Sequence, residues 1–545
     1  MIAENFVCRD LSGTVTVERT PGGIVFSKHV TVPEKEVFRK EVTRLEQEAG
    51  VYAAPFSPAQ STEDVLTFNP GGWEPFRNWL SGFDKEPFYP LERALGFAVD
   101  LCNALQKIST SSAGKPEIHA GMVLVSDSRL PHCRIILCPA VNGARPADYL
   151  ACSSEVLFCT PPESFCGQQA LDPYCYAAAM ILRVLFSDTS VLNRNPAAMM
   201  EKLVEEGFPT PEIAPANLPE GMNKMLSPQW EKLAGMIGLA TARNPKVRAV
   251  QLEEFLEVCQ AILKELDYWR LVKDLCDQGR FEEACDVCSY GIWAKQNEAS
   301  WRRALKRQLG EIYFKRLHNY AQAASVFQEY VNTESSGDFS AAAQVIESHG
   351  DALAALGENT AALQQYERAL PFIADRPPLY MKVAGIHRRS GNYTGAVNTL
   401  QRLLQDYPHQ WQALQNLAEV YLEMGDTASA HDSASLALQA VRDLYQRKAL
   451  HVRFPEAIFA DLHALLGLCF LFQENSSAAQ TLAAQALEED PECFRAFNVF
   501  GLLYIRQGKT LPALRSLTRS LLLNPDQPEI QKWMEEALGK GVEQP

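Results

Sequence analysis

A 34-residue repeat in the second half of the chain limits the fold more than any other feature of the sequence. Gly357, Gly391 and Gly425 recur with this constant spacing. Gly508 follows after two further periods plus a 15-residue insertion that begins after Leu438. A fixed period of this length predicts supersecondary units that stack one upon the next, rather than a single globular core.

Each unit is predicted to be a pair of antiparallel helices. A glycine permits the left-handed backbone that ends the first helix of the pair. Small residues recur at constant offsets from that glycine and allow the second helix to approach the first; they include Ala362, Ala396, Ala430 and Ala513. The remaining apolar face has no partner within the pair, so successive pairs are expected to form a solenoid.

The repeated units resemble the tetratricopeptide repeat family. The segments that carry the resemblance include LGEIY (309–313), GNYTGAVNTL (391–400) and the closing Asn524–Pro525. The similarity spans about Leu266–Pro525. It implies an all-α solenoid domain over 265–545, with about seven units followed by a capping helix.

Charge and cysteine content restrict the class of protein. The net charge of −15 argues against a general binder of nucleic acid or anionic membranes, because both require a cationic surface. The 14 cysteines lack the spacing of disulfide modules, which favours a reducing cytoplasm. The one CxxC pair, Cys285 and Cys288, is interpreted as two buried thiols of a helix rather than a zinc or redox site. No signal peptide and no apolar run of the ~18–20 residues that cross a bilayer are expected.

The first ~260 residues follow a different pattern, with strands first and helices afterwards. GTVTVER and GIVFSKHV alternate in the manner of strands, and PEKEVFRKEVTRLEQEAG has helical periodicity. This order predicts an α+β domain over 1–264, ahead of the all-α solenoid.

The order of short motifs in this α+β region resembles the protein kinase family. CRDLSGTV (8–15) stands at the place of the Gly-rich loop, and IVFSK ends in Lys28 at the place of the strand lysine. Glu41 stands at the place of the helix glutamate that pairs with that lysine. The resemblance implies a two-lobed kinase-like fold in which Lys28 either pairs with Glu41 or is a solvated strand residue.

The C-terminal part of the same region continues the resemblance. IHAGMVLVSDS stands at the place of the catalytic loop and keeps His119, which in this family braces the fold. CTPPESF offers Glu163, and ATARNPKVRAVQLEEFL offers Arg248. The resemblance implies that Glu163 and Arg248 form a buried ion pair.

The residues that perform phosphoryl transfer in this family are missing from the matching positions. Cys8 and Asp10 replace two of the three loop glycines, and only Gly13 remains. Gly121 stands where the family has its catalytic aspartate, and Cys138 stands where it has a metal-binding aspartate. Because phosphoryl transfer depends on positioning and on metal-assisted charge stabilisation, these losses predict a pseudokinase with no catalysis, no cofactor and no bound metal.

One further carboxylate could replace the missing base. Asp127 follows His119 by eight residues. We interpret it as an exposed hairpin residue rather than a catalytic group.

The two halves together predict a non-catalytic scaffold or adaptor in which a degenerate kinase domain is coupled to a repeat domain that binds a protein or peptide. A divergent serine/threonine kinase and a metal-independent nucleotide-sensing switch remain as alternatives. The groove of a solenoid suits an extended peptide or helix. Lys382, Asn416 and Glu419 are predicted to be exposed contacts on this face, while Leu417 and Tyr421 are expected to pack between helices. Neither nucleic acid nor membrane is expected as a partner.

Overall fold

The chain forms two compact units, Met1–Leu309 and Gly310–Pro545. The computed structural model describes residues 7–20, 23–62, 64–71, 73–110, 116–126, 131–141, 144–166, 168–187, 195, 198, 201, 205–215, 217–334, 339–450 and 452–542. Asp127, considered above as a replacement base, lies outside these residues.

A four-stranded antiparallel sheet, in the order β1-β2-β3-β4, opens the first unit. Successive residues of a strand point to opposite faces of a sheet. Phe26, Lys28 and Val30 of β3 therefore share one face, and all three are buried. The bounds are β1 Val7–Asp10, β2 Gly13–Thr20, β3 Gly23–Val30 and β4 Val65–Gly71, and helix α1, Lys35–Ala49, follows β3.

Helices dominate the rest of the first unit. The core helices are α3, Leu91–Ser109, and α7, Pro173–Phe186, which is buried from Tyr174 to Phe186. Short strands pair as β5-β7-β8 and as β6-β9. The remaining bounds are β5 Trp73–Pro75, β6 Pro116–Glu117, β7 Val123–Ser126, β8 Cys133–Ile135, β9 Cys138–Pro139, α2 Phe76–Ser81, α4 Pro146–Tyr149, α5 Ser154–Leu157, α6 Pro162–Phe165, α8 Glu220–Met225, α9 Ser227–Ala240 and α10 Leu252–Glu265.

Helix pairs make up the rest of the described chain, and we name the two helices of each pair A and B. Seven such pairs lie between Tyr268 and Leu523. They are α11 Tyr268–Asp277 with α12 Phe281–Ala294, α13 Ala299–Lys315 with α14 Tyr320–Glu334, α15 Phe339–Ala355 with α16 Asn359–Ala369, α17 Arg376–Arg389 with α18 Tyr393–Asp406, α19 Trp411–Met424 with α20 Thr427–Gln446, α21 Pro455–Phe472 with α22 Ser476–Glu489, and α23 Phe494–Arg506 with α24 Thr510–Leu523; a single helix, α25 Pro528–Val542, follows.

One residue with positive φ lies in each A-to-B turn. These residues are Gly279, His318, Gly357, Gly391, Gly425, Glu474 and Gly508, with φ between 51° and 81°. Glu474 lies one repeat period before Gly508. It therefore marks the turn between α21 and α22, which the spacing of glycines did not reveal. Two of the seven turns lack glycine, which is why a search for glycines alone misses them.

The small residues predicted at the helix contacts are buried. Ala362, Ala396, Ala430 and Ala513 are all 0% exposed. Within one pair, a Cβ added to Gly350 of helix A would lie 2.5 Å from the Tyr366 ring of helix B. Helix B therefore packs directly on the backbone of helix A in that pair.

The first unit extends beyond the 1–264 boundary expected from the sequence and includes the first helix pair. The Tyr290 hydroxyl of α12 donates to the Tyr89 carbonyl at 2.9 Å and accepts from Leu91 N–H at 3.1 Å. Both bonds are buried. These two hydrogen bonds hold α12 against the start of α3, so the first helix pair packs on the first unit.

Helix α21 corrects one expectation about apolar segments. It runs over Pro455–Phe472 and, by length and composition alone, is long and apolar enough to cross a membrane. In the structure it packs against α20, α22 and α23. These contacts are those of a core helix in a stacked array.

Candidate functional site

A buried ion pair lies against the first sheet. Lys28 lies on an interior strand, opposite Val15 on β2 and Leu66 on β4. Its Nζ atom lies 2.5 Å from Oδ2 of Asp10, and both side chains are 0% exposed. The expectation that Lys28 pairs with Glu41 or is solvated is therefore wrong, and Glu41 instead lies 3.8 Å from Arg44.

Donors in the turn between β1 and β2 form hydrogen bonds to the Asp10 carboxylate. Oδ1 accepts hydrogen bonds from the backbone N–H of Ser12 at 2.8 Å and of Gly13 at 2.9 Å. It also accepts from the Ser12 hydroxyl at 2.9 Å. Gly13 has φ +155°, and a Cβ there would collide with the His29 carbonyl, so the turn requires glycine. Two backbone N–H groups and one ammonium thus converge on a single anion that the chain itself supplies.

His119 lies on the same carboxylate. Its Nε2 atom lies 3.3 Å from Asp10 Oδ2, and the residue is 1% exposed. Burial alone would raise the pKa of Asp10, but Lys28 and His119 lower it overall. Burial alone would lower the pKa of Lys28, but Asp10 raises it overall. The Asp10–Lys28 pair is therefore charged at neutral pH.

Two more titratable groups face this pair from the β6–β9 ribbon. Glu117 and Cys138 are opposite each other in that ribbon. Burial, followed by the charge on Asp10, raises the pKa of Glu117 to about 7. Glu117 Oε2 has no hydrogen-bond partner among the described residues. Burial raises the pKa of Cys138 to about 12, so the thiol is neutral at physiological pH.

Gly121 and Cys8 are in close contact. A Cβ built on Gly121 would collide with Sγ of Cys8 and would lie 3.2 Å from Nδ1 of His119. Cys8 is 0% exposed, so its side chain cannot turn into solvent without disturbing its neighbours. An aspartate at position 121 would have no room in this arrangement.

The structure brings Glu163 and Arg248 together. Arg248 donates from both terminal nitrogens to the two Glu163 oxygens, at 2.7 and 2.9 Å. The side chains are 6% and 5% exposed. The guanidinium carbon also lies 4.9 Å from the centroid of the Tyr176 ring. A bidentate pair with this burial joins the segment around α6 to the segment that precedes α10.

The A helices of the second unit carry paired charges where exposed contacts were expected. Lys382 on α17 binds Glu347 at 2.7 Å and Asp351 at 2.8 Å, both on α15. Its side chain is 36% exposed. Lys382 is therefore a bridge between adjacent A helices, with part of its surface still accessible.

Glu419 is buried to a greater extent than the sequence indicated. Its side chain is 11% exposed, binds Arg388 at 2.5 Å and also binds Arg495. Arg495 in turn binds Asp461 at 2.7 Å. Burial would raise the pKa of Glu419, but Arg495 and Arg388 lower it overall. The prediction that Glu419 is an exposed partner contact is wrong, because its charge holds three A helices together.

Asn416 is half-buried, and the two neighbouring apolar residues pack as expected. Leu417 is 6% exposed, and Tyr421 packs against two hydrophobic clusters. The sequence contained a signal for the paired charges that simple inspection missed. Lys382 and Arg388 each pair with two acids that lie 31 and 35 residues away, close to one repeat period.

Comparison with known proteins identifies the repeats. The model of a family described as tetratricopeptide repeat matches residues 387–450. A BBSome complex member BBS4 homolog from Drosophila melanogaster is 23% identical over 146 residues, which are 27% of this chain and 27% of that protein. The chain thus spans about a quarter of the length of this curated relative.

Several solved structures are similar to the chain at low identity. A tetratricopeptide repeat protein from Parabacteroides merdae is 13% identical, with a TM-score of 0.37, and covers 50% of this chain and 98% of its own. The C-terminal part of a repeat-containing protein from Cytophaga hutchinsonii is 16% identical, with a TM-score of 0.34 and coverages of 49% and 98%. The Cut9–Hcn1 structure is 14% identical, with a TM-score of 0.33 and coverages of 67% and 76%. The family match and the helix pairs identify the C-terminal region as an all-α tetratricopeptide repeat solenoid, an architecture of protein-interaction scaffolds.

Proposed function

We propose that the protein is a non-catalytic adaptor, in which a degenerate kinase-like domain is coupled to a repeat solenoid that binds a protein partner. The order of elements supports the kinase-like assignment of the first half. A strand hairpin, the strand that carries Lys28, a helix and a hinge-like strand precede the mainly helical part, in the order that the sequence motifs predicted.

One observation carries the proposed loss of catalysis. The kinase resemblance assigns the turn between β1 and β2 to the phosphate-binding loop, and the Asp10 carboxylate takes up the donors of that turn. Ser12 N–H, Gly13 N–H and the Lys28 ammonium are all directed at this one group. A phosphate brought to the same donors would be repelled by a carboxylate that the surrounding charges keep ionised.

Nucleotide binding and transfer test this part of the proposal. Calorimetry with ATP, in the presence and absence of magnesium, is expected to give no saturable binding in the micromolar range. A radiolabel transfer assay on a generic protein substrate is expected to give no signal above a no-enzyme blank. Transfer would support the divergent-kinase alternative, whereas metal-independent binding without transfer would support the nucleotide-sensing alternative.

Partner binding is proposed for the solenoid face formed by the A helices α17 and α19. Asn416 and the accessible part of Lys382 remain candidate contacts, whereas Glu419 supports the face from beneath. All 14 cysteines are free, which supports placing the protein in a reducing compartment such as the cytoplasm.

Affinity capture with the full chain tests the proposed face. Proteins recovered by mass spectrometry are purified and titrated against the wild-type chain and against Asn416→Arg. The matched control is Gln405→Arg, because Gln405 is exposed on helix B of the preceding pair. The proposal expects weaker binding by Asn416→Arg alone, and equal binding by all three proteins would place the interaction elsewhere.

A further inference from the structure

The insertion that breaks the 34-residue period builds a surface feature of its own. Helix α20 has 20 residues, whereas the B helices α18, α22 and α24 each have 14. Six extra residues at 1.5 Å each extend this helix by about 9 Å beyond its neighbours. Residues 447–450 and 452–454 lie between the extended end and α21. We call the end of α20 together with these residues the insertion edge.

A pocket of about 510 Å³ lies against the insertion edge. Its walls include Tyr407, Trp411, Leu444, Leu450 and Val452. Two B-to-A connections line it, one from α18 to α19 and one from α20 to α21. The pocket therefore lies at the end of the helix pairs opposite the A-to-B turns, away from the A-helix face considered above.

Large apolar side chains around this pocket are exposed. Tyr407 and Val452, which line it, are 36% and 41% exposed. Single exposed apolar residues are ordinary on a protein surface, but a group beside a pocket is typical of an interaction site.

The same edge is positively charged within an acidic protein. Arg447, Lys448 and Arg453 are all exposed. None of the three makes an ion pair with another residue in the described part of the chain. The chain as a whole has a net charge of −15, so three neighbouring cations without an ion-pair partner are unusual for this protein.

We propose that the insertion edge binds an acidic linear segment of a partner protein, with one aromatic or aliphatic side chain of that segment in the pocket. The cations attract the carboxylates and orient the segment, while burial of the apolar side chain supplies affinity. A concave pocket accepts an inserted apolar side chain, whereas a flat bilayer surface would leave its interior unfilled. The segment would bind independently of the A-helix face.

Selection from a random dodecamer library displayed on phage, panned against the full chain, tests the proposal. Enriched peptides are expected to combine several Asp or Glu residues with one aromatic or aliphatic residue. The same synthetic peptides are then titrated against Arg447→Glu/Lys448→Glu and against Tyr407→Ser/Val452→Ser, the second of which changes two exposed residues that line the pocket. A matched control is Arg515→Glu/Arg519→Glu, which reverses two charges on α24.

The charge-reversal variant is expected to bind at least about tenfold more weakly than the wild type and the control, since two attractions become repulsions. The pocket-rim variant is expected to lose affinity while it keeps the salt dependence of the remaining charges. Enrichment of peptides without acidic residues, failure to enrich any peptide, or equal binding by all variants would overturn the proposal. Binding of phosphatidylserine vesicles that only the site variants abolish, without peptide binding, would assign the edge to a membrane instead.

Discussion

Lys28 Nζ lies 2.5 Å from Asp10 Oδ2 in the interior of the first unit, and neither side chain is exposed to solvent. The pair joins the end of β1 to an interior strand and leaves its charges no contact with water. Burial of two charges is tolerated because each ion is neutralised and hydrogen-bonded by its neighbours. The contact therefore ties the stability of the first unit to both partners.

Removal of either partner should destabilise the first unit. Asp10→Ala or Lys28→Met is expected to lower the free energy of unfolding by about 3–5 kcal/mol, because one buried charge is left unpaired. The double variant should lose less than the sum, as urea denaturation would measure. Additive losses within about 0.5 kcal/mol would mean that the two charges are not coupled. Since the fold lowers the pKa of Asp10, its contribution is full above about pH 4 and declines as pH falls further.

Gly121 and Cys8 should show steric coupling. Gly121→Ala is expected to cost about 1–3 kcal/mol, because the new Cβ meets Cys8 Sγ. Cys8→Ala in the same chain should recover part of this loss. Gly235→Ala is the matched control, since a Cβ there meets nothing within 4 Å. If Gly121→Ala proved as stable as the control in thermal denaturation, that result would contradict the close approach.

Glu117 should make the stability of the first unit depend on pH. Its pKa is raised to about 7 in the fold, so the folded state holds a proton that the unfolded chain releases near pH 4.5. Stability should therefore fall as pH rises between these values, by up to about 3 kcal/mol for this group. Asp10, His119 and Lys28 also face Glu117.

The Glu117→Gln variant isolates this effect. It is expected to be more stable than the wild type at pH 8 and nearly equal to it at pH 4.5, because the amide never ionises. The measurement is the difference between the two unfolding free energies across that pH range. A difference that does not change with pH would show that Glu117 ionises normally.

The Glu163–Arg248 pair should be necessary for a stable first unit. Arg248→Leu is expected to cost about 3–5 kcal/mol, since Glu163 would keep a buried charge without its partner. Lys246→Leu, at an exposed position nearby, should change stability by less than about 0.5 kcal/mol. Melting temperatures that fall equally in both variants would argue against a special role for the pair.

Replacement of Glu474 by glycine should raise the free energy of unfolding, whereas replacement of a repeat glycine by alanine should lower it. Glu474 has φ +67°, which strains an L-residue, so Glu474→Gly is expected to stabilise by about 0.5 kcal/mol. Gly425→Ala, at φ +81°, should cost about 1 kcal/mol. The comparison is made by denaturation of the full chain. Destabilisation by Glu474→Gly would mean that its side chain contributes more than its backbone strain costs.

The sequence by itself predicted the repeat architecture. Helix pairs depend on local features, namely a turn residue, small contact residues and apolar periodicity, and these recur once in each period. The turn at Glu474 was not found, because a left-handed turn can be occupied by a residue other than glycine at a cost of about 1–2 kcal/mol.

Only the tertiary structure decided which charges neutralise one another. Lys28 was expected to pair with Glu41 or to be solvated, yet its partner is Asp10, 18 residues earlier in the chain. Glu419 was expected to be exposed, yet it binds Arg495 from 76 residues further along. A charged side chain has no periodic signature of its own, and its partner is set by which atoms the packed helices and strands bring within reach. The regular period therefore predicts the solenoid. The buried ion pairs Lys28–Asp10 and Glu419–Arg495 are instead set by how the elements pack.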